Sequence, residues 1–260
     1  MSLRLAVEVV LSMIKPSRGT DWLDFYPGGV PAGIIFDMQV EDACELVGSA
    51  SKNKKAVFTG VQAEFALIGL VACFEGFCRN QTAAIINICP QLVRELTERG
   101  RDIKLRPVDI LDYAENLHTQ FGSLVVERID FGTAKAINGL YKDMLGITPL
   151  SKNDAKRFHA LLEDRNLLVH CGNIISPSYA KERFIRRETG RARVFIDSLA
   201  VTPNDVQVAA QFLRELSTKL RIGSHKALQT FVKKNQLRLA KANRDAAKFL
   251  DAKEPTDSSD

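Results

Sequence analysis

From Val61 to Asn87 the chain runs almost without interruption through Ala, Leu, Ile, Val and Phe, until Pro90 closes the run. The apolar residues cover much of a helical circumference, so the pattern predicts a central helix buried on several sides. A helix of that kind must be surrounded by others, which points to an all-α bundle. Two carboxylates, Glu64 and Glu75, stand inside the apolar run, where each needs a partner.

The flanking sequence divides around this helix. Residues 1–56 hold a short amphipathic segment before Pro16, the breaker-rich loop Tyr26–Gly33 and the polar linker Ser49–Lys55, and they are expected to form an extension packed on the main body. The main helical domain is expected over 57–222. Within it, Gln91–Arg99 forms a short helix stopped by Gly100, Pro107 opens another, and Gly122 and Gly132 punctuate the stretch up to residue 145. Ser151 with Asp154 makes a capping box for a helix that Gly172 ends. Phe184–Ile196 places two β-like runs around Glu188-Thr189-Gly190, which predicts a small inserted β-hairpin. A helix is expected from Thr202-Pro203 to about Arg221, and a basic C-terminal helix over 224–250. Within the last segment, 223–260, Pro255–Asp260 reads as a disordered acidic tail.

Composition narrows the class of function. A hydrophobic fraction of 45% with 26% charged residues suits a soluble globular chain, and a net charge of +5 permits an anionic partner without requiring one. The five cysteines are an odd number, and Cys73 and Cys78 are five apart with no histidine nearby, so the expectation is free thiols and no metal. No cofactor loop is apparent. The run Leu5–Ile14 is broken by Glu8 and lacks a small-residue cleavage site, so it does not read as a signal peptide. No window is expected to reach the roughly 20 apolar residues of a membrane span. The expected location is cytoplasmic.

The chemistry concentrates in one helix. At 100° per residue, Phe158, Leu161, Leu162, Leu168 and Val169 share an apolar arc. His159, Glu163, Asn166 and His170 form a polar stripe beside it. Arg165 projects within the apolar arc, so its guanidinium needs a carboxylate partner or must reach along the helix; Glu64 and Glu75 are the candidates. His170 lies in the last turn, where the helix dipole favours the imidazolium and suits a structural cation or a general acid.

The stretch Glu163-Asp164-Arg165-Asn166-Leu167-Leu168-Val169-His170 resembles the Arg-x4-His signature, in its Arg-Asn-x3-His form, of the HEPN domain family. Ala72–Arg79 near the middle of the long helix, ended by Ile88-Cys89-Pro90-Gln91-Leu92, is similar to the opening helix of the RiboL-PSP-type branch, and Tyr179 stands where that branch often has an aromatic. Many relatives have Asn-Gly after the motif histidine, whereas this chain has Cys171-Gly172. The resemblance covers about residues 57–222 and implies an all-α, HEPN-like bundle that dimerises.

It further implies a metal-independent endoribonuclease, with Arg and His of two subunits facing across a composite cleft. Carried over, His170 transfers protons, Arg165 clamps the phosphate and Asn166 positions it, with Glu75, Glu163 and His159 in support. Attack by the RNA 2′-hydroxyl would leave a 2′,3′-cyclic phosphate and a 5′-hydroxyl, with no cofactor. The implied partners are RNA, a second copy of the chain, and an antitoxin or nucleotidyltransferase of a toxin–antitoxin or antiphage defence system.

Two basic clusters supply anion affinity. The hairpin carries Arg183, Arg186, Arg187, Arg191 and Arg193, and arginine suits phosphate forks. Tyr179, Phe184 and Phe195 are the aromatics near it that could stack bases. The C-terminal helix carries Lys226, Lys233, Lys234, Arg238, Lys241, Arg244 and Lys248 against the single acid Asp245. Three readings stand side by side: the ribonuclease; a non-catalytic HEPN module that dimerises and binds RNA or a nucleotide; and a structural helical protein in which Arg165 pairs with Glu75 and His170 caps its helix.

Overall fold

A computed structural model describes residues 8, 10–12, 14, 19–52, 59–103, 105–182 and 198–252. The fold is all-α. Besides three short 3-10 helices, the described residues form α1 (Ala32–Lys52), α2 (Thr59–Ile88), α3 (Leu92–Glu98), α4 (Pro107–Asp112), α5 (Leu117–Val126), α6 (Ala134–Leu145), α7 (Lys152–His170), α8 (Pro177–Glu182), α9 (Pro203–Lys234) and α10 (Lys241–Lys248). Among the described residues the β-structure is a single antiparallel bridge between Ile174 and Ser198. The expected hairpin over 184–196, its arginines and the acidic tail lie outside the described residues.

The long apolar run is α2, and it is the axis of the bundle. Helices α1, α5, α9 and α7 pack along it. Phe36 of α1, Phe74 and Phe77 of α2 and Phe158 of α7 meet ring to ring, with centroids 5.2 to 5.9 Å apart. Three of the four rings are fully enclosed, and truncating such a ring to Ala costs about 3–5 kcal/mol. By length and composition alone Gly60–Ile88 would suffice to cross a membrane, which corrects the expectation that no segment is long and apolar enough. The same character belongs to the core helix of a bundle. Here most buried polar groups of α2 find protein partners: Gln81 Nε2 donates to the Leu250 carbonyl, although its Oε1 accepts no bond, and Thr82 donates to the Cys78 carbonyl and meets the Tyr141 hydroxyl.

Three sequence expectations change. First, α1 occupies Ala32–Lys52, where no helix was expected; it begins inside the Pro- and Gly-rich stretch and contributes Phe36, Val40 and Val47 to the core. Second, Gly122 does not interrupt a helix. It lies within α5 because a Cβ there would stand 2.0 Å from the Ala83 carbonyl oxygen of α2, so only glycine permits this close crossing. Its N–H donates to Asn87 Oδ1 at 2.6 Å. Third, the helix beginning at Pro203 does not stop near Arg221. It continues through Gly223 to Lys234, and the basic region 224–250 divides into the end of α9, a turn, and α10.

One core holds residues from the N-terminal, middle and C-terminal parts of the chain, among them Phe25, Phe36, Leu70, Phe158, Leu220, Ala246 and Leu250. Residues 22–26 meet residues 246–249: Tyr26 donates to the Ala246 carbonyl, and Trp22 stacks on Phe249 with centroids 4.2 Å apart. Five free cysteines are spread through the fold, with Cys78 and Cys89 buried and Cys171 exposed. Burial pushes the Cys89 thiol up to about 12, as expected of an inert packing thiol.

Candidate functional site

Helix α7 is defined at both ends by local sequence. Ser151 accepts from the Asp154 N–H at 3.1 Å while the Asp154 carboxylate accepts from the Ser151 N–H at 3.0 Å, which completes the expected capping box. Asp154 is also held by Lys219 of α9 at 2.8 and 2.9 Å, so the cap ties two helices together. At the other end Gly172 and Asn173 take positive φ values of 55° and 67°, and the chain turns away.

Phe158, Leu161, Leu162 and Leu168 are buried as the wheel requires, whereas Val169, expected in the same arc, is exposed. Leu167, on the side away from the core, is buried instead by a small separate cluster with Ile175, Tyr179 and Ala180.

Arg165 finds a carboxylate. Its Nη2 donates to Glu75 Oε1 of α2 at 2.7 Å, with the two side chains 25% and 30% exposed. Glu64, the other candidate partner, accepts instead from Asn173 Nδ2 at 2.6 Å just beyond the end of α7. The acids of the long helix therefore both meet the motif region, one at the arginine and one at the turn after the histidine.

Asn166 and Glu163 are half-buried, and His159 and His170 are exposed, along one flank of α7. Arg165 and His170 leave the helix in directions about 140° apart, since five residues separate them at 100° each. Glu75 is brought to Arg165, while the stripe of His159, Glu163, Asn166 and His170 stays on a different flank. Arg183, Arg186, Arg187, Arg191 and Arg193 lie outside the described residues, as do Phe184 and Phe195.

A cavity of about 520 Å³ opens on the opposite flank of α7, between it and α9. Arg157, Leu161 and Asp164 of α7 line it together with Tyr179, Asp205 and Phe212. None of Arg165, Asn166 and His170 does. Arg157 lies over the Phe212 ring, 4.0 Å from its centroid, and the Tyr179 hydroxyl donates to Asp164 at 2.7 Å. Tyr179 is thus buried and engaged, which removes it from the aromatics expected to stack bases. The sequence signal for this cavity was slight. Arg157, Asp164 and Tyr179 look like ordinary surface polar groups until α9 closes over them. No family model, curated protein or solved structure matches this chain.

Proposed function

We propose that the protein is a metal-independent endoribonuclease of HEPN type that cleaves RNA through attack by its own 2′-hydroxyl. The observation that carries the reading is helix α7 itself: His170 and the half-buried Asn166 lie one turn apart on its polar stripe, and Arg165, held by Glu75, projects from a different flank of the same helix. An imidazole contributes about 10²–10⁴-fold through proton transfer, and a guanidinium aimed at equatorial phosphate oxygens stabilises the developing charge. Because Arg165 and His170 diverge on one helix, the reactive set is assembled between two copies, and an isolated protomer is inactive. On this reading the protein is cytoplasmic, acts on RNA as a homodimer, and works with an antitoxin or nucleotidyltransferase in a toxin–antitoxin or antiphage system.

The Arg165–Glu75 ion pair, which the structural reading expected, already occupies one edge of the guanidinium and favours a second, non-catalytic reading. In that reading the chain is a non-catalytic HEPN module that dimerises and binds RNA or a nucleotide. Incubation with end-labelled RNA in EDTA separates the two. The ribonuclease gives 2′,3′-cyclic phosphate ends, and His170→Ala lowers the rate by about 10²-fold or more. Cleavage that survives both His170→Ala and Arg165→Ala rules out the catalytic assignment, and tight binding without cleavage supports the module.

A further inference from the structure

The basic C-terminal region contains a cavity that the α7 chemistry does not use. Helix α9 ends at Lys234, and Gln236 takes a left-handed φ of 51°. The Leu237 N–H then reaches back to the Val232 carbonyl at 3.0 Å, the bond that closes a Schellman turn and brings Leu237 toward Val232. The chain doubles back as α10, which is anchored on the N-terminal turn by Trp22 and Tyr26. Between the two helices lies a cavity of about 450 Å³.

Its walls and rim differ in kind. Leu228, Val232, Leu237, Leu239 and Ala247 supply apolar walls, and most of the lining surface is apolar. Lys233, Arg244 and Lys248 stand at the rim, all three exposed. Lys248 pairs with Asp245, Arg244 donates to the Leu239 carbonyl, and His225 pairs with Asp251 at 2.9 Å. No Asp or Glu lines the cavity. A face that tracks a nucleic-acid strand combines cations with aromatic stacking platforms. Here the lining contains no Phe, Tyr or Trp, and its centre is aliphatic.

We propose that this cavity binds a small amphipathic anion, an aliphatic chain of medium length ending in a carboxylate. The chain lies against Leu228, Val232, Leu237 and Leu239, and the carboxylate meets Lys233 and Arg244 at the rim. The volume falls in the usual range of small-molecule sites, and an apolar body with a few convergent polar groups is their usual composition. The charge complementarity selects an anion over a cation or a neutral alcohol.

Dodecanoate below its micellar concentration is the probe, titrated into the full-length protein by calorimetry and by fluorescence. The single tryptophan, Trp22, stacks on Phe249 beside Lys248, so it reports movement of α10. Saturable one-to-one binding is expected, with octanoate weaker by roughly 10-fold or more because four methylenes are lost from the apolar wall. The double variant Lys233→Glu/Arg244→Glu, its helicity checked by circular dichroism, should weaken dodecanoate by roughly 10-fold or more. Lys233→Gln/Arg244→Gln gives the same test without charge reversal, should the first disturb folding. Absence of saturable binding overturns the proposal. So does equal binding of dodecyltrimethylammonium, or unchanged affinity in both double variants. Loss of RNA oligonucleotide binding in those variants, with dodecanoate unaffected, overturns it in favour of a nucleic-acid surface.

Discussion

Arg221 and Arg165 each pair with a carboxylate on a neighbouring helix, and they stand in opposite surroundings. Arg221 of α9 is 2% exposed and meets Asp37 of α1, itself 15% exposed, at 3.2 Å. Arg165 of α7 meets Glu75 of α2 at 2.7 Å, with a quarter or more of each side chain in solvent. Arg221 also donates to the Ala252 carbonyl at 2.7 Å, while its Nε has no hydrogen-bond partner. It thereby clamps the C-terminal segment against α1. An arginine–carboxylate pair thus serves as an internal strut in one place and as a partly exposed group in the other. Burial decides which, because an uncompensated charge is costly only where water cannot reach it.

Substitution puts the contrast between the two arginines to the test. Arg221→Ala should destabilise by about 3–5 kcal/mol, since it removes an enclosed guanidinium and its bonds to the largely covered Asp37 and to the Ala252 carbonyl. Arg165→Ala should cost about 1 kcal/mol or less. Urea unfolding of both variants measures the difference, and equal losses would end the distinction between strut and site.

Gly33→Ala comes next in size. A Cβ at Gly33 would lie 2.3 Å from Arg221 Nη1 and 2.8 Å from the Ala252 carbonyl oxygen. The enclosed guanidinium has nowhere to retreat, so a loss of about 1–3 kcal/mol is expected. The loss should shrink in an Arg221→Ala background, which a double-mutant cycle would read.

Asp154→Asn probes an intermediate case, a buried carboxylate paired with a half-exposed lysine. Burial pushes the Asp154 carboxyl up, but hydrogen bonds from Lys219 and Ser151 outweigh it and hold it below its ordinary range. The unfolded chain therefore binds the proton more readily, and stability rises with pH across that interval. The contribution is complete above about pH 4 and is lost as pH falls through the lower folded value. The variant should lose about 1–2 kcal/mol at neutral pH, and its melting temperature should converge on that of the parent in acid.

Gln236→Gly is the smallest effect. Relieving a left-handed residue in the turn between α9 and α10 should stabilise by about 1 kcal/mol or less, visible as a small rise in Tm.

Much of the local structure was legible in the sequence. Ser151 with Asp154, Thr202-Pro203 and Pro107 mark helix starts through preferences local to one turn, and a helix begins at each of them. Gly100 ends α3 with a positive φ of 79° for the same local reason. The stripe on α7 was also legible, since helical spacing alone places His159, Glu163, Asn166 and His170 on one flank. Glycine was the least readable signal. Gly122 and Gly223 resemble breakers in sequence, yet both lie within helices, Gly122 because another backbone passes too close for a side chain. The start of α1 was hidden because Pro31 and Gly33 read as loop residues. A proline just before a first turn, its carbonyl accepting from Ile34 and Ile35, and a glycine under a buried guanidinium are equally consistent with a helix.

By itself the sequence determined that the chain is helical, where most helices begin, and which residues share the α7 stripe, because these depend on interactions within about one turn. Only the tertiary structure decided that Arg165 takes Glu75 while Glu64 turns to Asn173, that Arg221 and not Arg165 is the buried strut, and that α9 and α10 flank an open, largely apolar cavity with basic residues at its rim. Those outcomes depend on which helices meet and at what height. Residues tens or hundreds of positions apart set that meeting, and no local pattern carries it.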